Sequence, residues 1–273
     1  MAPLKAPYFA RGKIPLREWN SYRVMALGYL ATAFALVNSS ALAGPPFATD
    51  DPEPTAYGHF EIYFYSEGTH NATDTSGALP GIEINYGAAP NLQINIAVPL
   101  AYDKGAQHST LYSYGATELG AKYRFIQEDD DGWRPQVSVY PSVEIPIGDT
   151  DRPVGIGGGH ARAFLPLWLQ KSCGPWTTFG GGGYWLNPGR GDRDYWFAGW
   201  TLQRQVTSNF ALGLEVFHQT RDSISGRDST GTNLGALYDL SDRWHLVGSV
   251  GTGLQNRKTT NELDYYAAIE WTP

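Results

Sequence analysis

The sequence predicts an all-β chain, a transmembrane antiparallel up-and-down β-barrel of about twelve strands that follows a cleaved signal peptide. Three observations carry this. A basic stretch and a short apolar run open the chain. Beyond them, runs of roughly 9–15 residues alternate apolar and polar side chains with period two. The links between the runs are by turns short and long. Composition agrees: 32 Gly and 14% aromatic residues suit many strands and turns.

Lys5, Arg11, Lys13, Arg17 and Arg23 precede an apolar stretch from Val24 to Val37, and Ala41-Leu42-Ala43 fits the small-x-small cleavage pattern. The apolar run is well short of the roughly 20 residues a spanning helix needs. Residues 1–43 therefore read as a signal peptide, 44–57 as a periplasmic N-terminal segment and 58–273 as the barrel. No Cys follows the apolar run, which excludes a lipoprotein anchor. Cleavage removes five basic residues and Glu18, leaving 15 basic and 26 acidic residues. So acidic an exported chain is not expected to bind nucleic acid. The single Cys173 excludes an intrachain disulfide and Cys-based zinc or redox sites. No cofactor is expected.

The strands follow in order. Strand one, 58–69, sets Phe60, Ile62 and Phe64 against Glu61, Tyr63 and Tyr65. Strand two, 80–88, sets Ile82, Ile84 and Tyr86 against Glu83 and Asn85. Strand three, 91–102, alternates Leu92, Ile94, Ile96, Val98 and Leu100 with Gln93, Asn95 and Ala97. Strand four, 111–125, opposes Leu119, Ala121, Tyr123 and Phe125 to Glu118, Gly120, Lys122 and Arg124. Strand five, 135–147, opposes Val137, Val139, Val143 and Ile145 to Ser138, Tyr140, Ser142 and Glu144. Strand six, 158–170, opposes Leu165, Leu167 and Leu169 to His160, Arg162 and Gln170. Six more runs are weaker: 176–186, 194–205, 209–219, 229–240, 243–254 and 262–271. In the first of them Gly180 to Gly183 hide the face assignment and suit a bend or a close backbone approach. No helix is expected after Ala43.

Links after even strands are mostly short, as in Ala89-Pro90-Asn91 and Ser241-Asp242-Arg243. Links after odd strands (70–79, 103–110, 148–157, 187–193, 220–228, 255–261) are longer and polar. Short periplasmic turns and long outer loops are the bacterial pattern. An even strand count then puts both termini in the periplasm.

One apolar face per strand also suits a soluble sandwich. Strand length, mid-strand charge on the opposite face, and aromatics near strand ends (Tyr57, Phe60, Tyr123, Phe125, Trp176, Trp185, Trp196, Trp200, Trp244, Trp271) favour a wall in lipid. A spanning sheet must close, because unpaired edge groups are not tolerated there.

Two motifs bear on family. Phe47-Ala48-Thr49-Asp50-Asp51-Pro52-Glu53-Pro54 is followed by Gly58-His59-Phe60-Glu61, and Gly115-Ala116-Thr117-Glu118-Leu119-Gly120-Ala121-Lys122-Tyr123-Arg124-Phe125 comes later. Together they resemble the outer-membrane family named for a putative meta-pathway of phenol degradation. The resemblance implies an outer-membrane transporter linked loosely to aromatic compounds. One departure is the C-terminus: such barrels commonly end in an aromatic residue, whereas Trp271 is followed here by Thr272 and Pro273.

By parity the lumen carries Glu61, Glu83, Glu118, Lys122, Arg124, Glu144, His160, Arg162, Glu215 and Glu270. They read either as a charged solute path or as a salt-bridged filling, costly to break whether or not it stabilises. Glu118, Lys122 and Arg124 form the best cluster on one strand, and Arg162 suits pairing with a glutamate. Thr49, Asp50, Asp51 and Pro52 precede strand one, where two prolines prevent ladder pairing; they read as a partial plug, or as an acidic tail. A metal site there is not expected, and no catalytic residues are assigned. His59, His70, His108, His160, His218 and His245 form no Ser/His constellation legible in sequence. Gly155 to Gly159 lacks the helix a phosphate-cradling loop needs. The expected function is passive diffusion of small molecules, hydrophobic or aromatic ones included, with outer loops such as 148–160 as a filter. The alternative is a structural barrel with a packed lumen. Expected partners are outer-membrane lipid, the barrel-assembly machinery and a small-molecule solute.

Overall fold

The structure is a computed structural model and describes residues 45–105, 109–129, 132–147 and 159–273. The signal-peptide reading and most of the 148–160 loop lie outside the described residues. Among the described residues, fourteen strand segments pair antiparallel: β1 (Phe60–His70), β2 (Asp74–Ala89), β3 (Leu92–Gly105), β4 (Leu111–Tyr114), β5 (Ala116–Ile126), β6 (Gln136–Val139), β7 (Ser142–Pro146), β8 (Arg162–Cys173), β9 (Trp176–Leu186), β10 (Tyr195–Thr207), β11 (Phe210–Gln219), β12 (Ser229–Ser241), β13 (Trp244–Gln255) and β14 (Leu263–Trp271). They make twelve barrel strands, because β4 and β5 are one strand interrupted at Gly115 and β6 and β7 one interrupted at Tyr140-Pro141. Pro141 has no N–H for a ladder, which accounts for the second break. β1 pairs with β14 from Ile62↔Trp271 to His70↔Leu263 and β3 pairs with β5, so the sheet closes on itself.

Alternation decides which side faces out. On β11, Leu212, Leu214 and Val216 are exposed while Ala211 and Glu215 are buried. On β3, Ile94 and Ile96 are exposed while Gln93 and Asn95 are buried. Apolar side chains thus coat the outside and polar ones fill the inside, the inverse of a soluble core and the pattern of a barrel in lipid. Phe60, Tyr123, Phe125, Trp176 and Trp244 stand exposed at the end of the barrel that carries the short turns, with the half-buried Trp271 stacked on Trp244. Trp185 departs from this girdle. It is on the inner face, stacked on Phe164 at 4.7 Å, on the strand whose four glycines conceal parity.

The link expected at 70–79 is mostly strand. β2 begins at Asp74 and pairs there with Gly105, leaving only residues 71–73 between β1 and β2. The small and polar residues Asp74 to Gly77 belong to a hairpin whose backbone continues the ladder past the alternating region. A single helical turn, Arg257–Thr260, occupies the link before β14. On β9, the Trp168 ring crowds Gly181 on the inner face and the Trp200 ring crowds Gly180 on the outer, so these glycines admit large rings from both sides.

Candidate functional site

The lumen is built from inward residues of all twelve strands and from the segment that precedes β1. Residues 46–56 run inside the barrel, from mid-height down to the turn end. Phe47 lies over Gly213 and Gly235, where a side chain would collide with its ring, and packs edge-on against Phe179 at 6.1 Å. Thr49 sits against Gly199, and the backbone of Ala56 against Gly87. Thr49 and Asp51 are fully buried. The inner glycines therefore form the bed on which the segment lies.

Polar groups tie it to the wall. The Glu215 carboxylate accepts the N–H of Ala48 at 3.1 Å, the N–H of Thr49, and Nδ2 of Asn233 at 2.7 Å. Ser249 Oγ donates to the carbonyl of Pro46 at 2.6 Å. Lys122 Nζ donates to Asp50 Oδ1 at 3.1 Å, approaches Asp51 Oδ2 at 3.9 Å and lies 5.1 Å from the centre of the Tyr140 ring. Arg124 approaches Glu53 at 3.8 Å. The N–H of Thr55 donates to Gln93 Oε1 at 2.8 Å. Pro46, Pro52 and Pro54 have no N–H for a ladder, and side chains of the wall supply the stretch with polar partners instead.

The sequence-derived lumen residues divide. Lys122, Arg124 and Glu215 hold the segment. Glu144 and Arg162 face each other across the β7–β8 ladder in a two-bond pair at 2.8 and 3.1 Å, and the guanidinium also lies 4.5 Å from the centre of the Trp185 ring. Glu118 stands opposite Glu144 and accepts Asn95 Nδ2 at 3.0 Å. Glu83 accepts Asn85 Nδ2 at 3.0 Å. Glu61 and Glu270 lie on the inner faces of β1 and β14, with Glu270 opposite Tyr63. The expected cluster of Glu118, Lys122 and Arg124 is not one site. Four residues along a strand span about 13 Å, and the two cations turn to the N-terminal segment while Glu118 turns to Asn95. His160 precedes β8, and its Nε2 lies 2.9 Å from Asn187 Oδ1 and 3.5 Å from Asp192. It belongs to the loop end, not to a strand of the wall. The other described histidine contacts include Thr75, Thr230 and Asp239.

Attention to charge alone misses the inner rings. Tyr195, Trp185, Phe164, Phe197 and Phe217 form a continuous chain of ring contacts across β8 to β11. Parity on β10 and β11 marks Phe197 and Phe217; the glycine run hides Trp185. These rings wall a cavity of about 760 Å³ at the loop end, floored by Pro46, Phe47 and Ala48.

No family model matches the chain, and no curated sequence does. The family suggested by the Thr49–Pro54 and Glu118–Phe125 motifs is thus carried by those residues alone. Solved structures match by fold. The COG4313 outer membrane channel from Pseudomonas putida F1 aligns with a TM-score of 0.69 at 12% identity, over 82% of this chain and 98% of that one. The NanC porin aligns at 0.52 and 8% identity, over 77% and 97%. The KdgM porin, in complex with disordered oligogalacturonate, aligns at 0.51 and 10% identity, over 77% and 98%. Together with the lipid-facing belt and the closed ladder, these neighbours identify the fold as the twelve-strand transmembrane barrel of outer-membrane porins and channels.

Proposed function

We propose that the chain is an outer-membrane channel for small molecules whose lumen is closed in its turn-end half by its own N-terminal segment, and that passage follows displacement of that segment. The carrying observation is how residues 46–56 are held. They are tied by polar contacts to Lys122, Arg124, Glu215, Gln93 and Ser249, and none of them belongs to a strand of the wall. A permanent filling would be built from the wall strands themselves. The aromatic wall and apolar floor of the upper cavity favour hydrophobic or aromatic solutes, as the resemblance to the phenol-degradation family implies. In this reading the short turns are periplasmic, the long links face outward, residues 1–43 are removed on export, and the assembly machinery inserts the barrel. The chain acts by selective passage and not by catalysis.

The second reading, a structural barrel with a packed lumen, draws on the same observation, since the segment lies inside the bore. Single-channel recording in planar bilayers separates the two. Wild type is expected to give small, flickering steps, and Lys122→Met larger and steadier ones. Absence of current in both proteins would favour the sealed barrel.

A further inference from the structure

On the outside of the barrel, toward the loop end, a group of hydroxyls interrupts the apolar belt. Tyr265 on β14 and Tyr102 on β3 point outward, since their neighbours Asp264 and Ala101 point inward. Between them Gly68 and Gly77 face each other on β1 and β2 and present no side chain. A Cβ at Gly68 would collide with the Tyr102 hydroxyl and with Cε1 of Tyr265, so both rings reach along the wall across that glycine. Their hydroxyls lie 3.2 Å apart, and Ser66 Oγ lies 3.1 Å from that of Tyr265. Tyr112, exposed on β4, sets its ring 6.5 Å from that of Tyr102. Each hydroxyl has one hydrogen. Three hydroxyls joined by two bonds leave one hydrogen over, which is costly against hydrocarbon and calls for a polar partner at the membrane interface. Directly toward the turn end an apolar groove of about 600 Å³ opens on the same outer face. Its floor is the row Ala236, Gly248 and Ala267, paired across β12 to β14 and ending at Ser66, and Phe64 and Ile269 flank it.

The charge beyond the hydroxyls is basic. Lys104 follows Tyr102 by two residues on the same outward face and is exposed. Arg257 and Lys258, also exposed, stand on the helical turn between β13 and β14. The Lys258 carbonyl accepts the N–H of Ala72 at 3.0 Å, which docks that turn on the tip of the β1–β2 hairpin. Cations thus bracket the hydroxyls, over β3 on one side and over β14 on the other, three interstrand steps or about 14 Å apart. The acid between them, Asp74, is engaged by Thr73 Oγ1 at 2.6 Å. The sector at β9 does the reverse: there the Tyr184 hydroxyl donates to Asp194. We propose that the β14–β3 sector binds the phosphorylated glycolipid of the outer leaflet, lipid A. Lys104 holds one phosphate, Arg257 and Lys258 hold the other, the sugar meets the hydroxyls of Tyr102, Tyr265 and Ser66, and an acyl chain lies in the groove. A disaccharide with a phosphate at each end matches two basic poles with hydroxyls between them. A phospholipid has one phosphate and reaches one pole. The inference takes the outward direction of the long links from the channel reading and nothing from the lumen.

The test is native mass spectrometry of the purified protein released from micelles, titrated with three lipids: lipid A with two phosphates, lipid A with one, and phosphatidylglycerol. The doubly phosphorylated form is expected to bind one per barrel, about tenfold or more tighter than either of the others. Lys104→Gln with Lys258→Gln is expected to cost it about tenfold or more. Arg190→Gln with Arg193→Gln, which removes the same charge from the exposed link between β9 and β10, is expected to leave it unchanged. Gly248→Leu, which fills the groove and keeps every charge, is expected to weaken both forms of lipid A. Strand content by circular dichroism checks that each variant is folded. Equal affinity for the three lipids, an equal loss in the two charge variants, or unchanged binding in Lys104→Gln with Lys258→Gln or in Gly248→Leu would overturn the proposal. The measurement uses no current, so its failure leaves the channel reading standing, and a silent bilayer recording leaves the lipid site.

Discussion

Lys122 Nζ lies 3.1 Å from Asp50 Oδ1, and with that contact a strand of the wall grips a segment 72 residues earlier in the chain. The lysine is almost wholly buried, and so is Asp51, which shares it. Such a pair is weak evidence for net stability but costly to break, because removing one partner leaves an uncompensated charge inside.

Lys122→Met is therefore expected to destabilise the segment more than the wall. Removing one partner of a buried pair costs about 3–5 kcal/mol. Part of that is relieved if the segment leaves the lumen and Asp50 and Asp51 reach water. The expected result is a lowered thermal midpoint in micelles with unchanged strand content by circular dichroism. The double variant Lys122→Met with Asp51→Asn should recover part of the loss.

Gly213→Leu is expected to eject Phe47. The added side chain claims the space of the ring, and overpacking of this kind costs roughly 1–3 kcal/mol. The wall has a simpler response than repacking, which is to release the segment. Limited proteolysis followed by mass spectrometry should show cleavage within residues 46–56 at a rate about tenfold or more above wild type, since each 1.4 kcal/mol is tenfold in the open population. Unchanged protection would mean that Phe47 is not what seats the segment.

Leu214→Arg tests the outer wall. Leu214 is exposed at mid-strand, back to back with buried Glu215. An arginine on the lipid face near the midplane is expected to cost about 2–4 kcal/mol, measured by reversible folding into vesicles in urea. A change below about 0.5 kcal/mol, usual for surface substitutions in water, would mean that this face does not meet hydrocarbon.

Much of the fold was legible because one physical rule repeats along the chain: a strand between lipid and a polar interior must alternate. Ile94 and Ile96 against Gln93 and Asn95 display it plainly, and strand ends from β9 to β14 fall within two residues of the expected ones. The rule loses its grip where side chains are small. Gly180 to Gly183 conceal that Trp185 points inward, and the Asp74–Gly77 stretch reads as loop although its backbone is fully paired. The candidate site was less legible. Parity places Lys122, Arg124 and Glu215 on the inner face, but their partners are a non-strand segment up to 167 residues distant, joined by no periodicity. The only sequence signal was negative: two prolines and three acids just before β1, a stretch that cannot pair and must find polar partners elsewhere. Glu118, Lys122 and Arg124 share a face yet not a site, because parity fixes direction and not height.

The central claim is that residues 46–56 close the lumen and move to open it. A Cβ at Gly199 would stand 3.2 Å from that of Thr49, close to disulfide reach. Thr49→Cys with Gly199→Cys, in a background where the exposed Cys173 is replaced by Ser, can therefore be locked and released. In planar bilayers the reduced protein should conduct, the oxidised protein should fall to baseline, and reductant should restore the current. Equal current in the oxidised and reduced states would contradict the account.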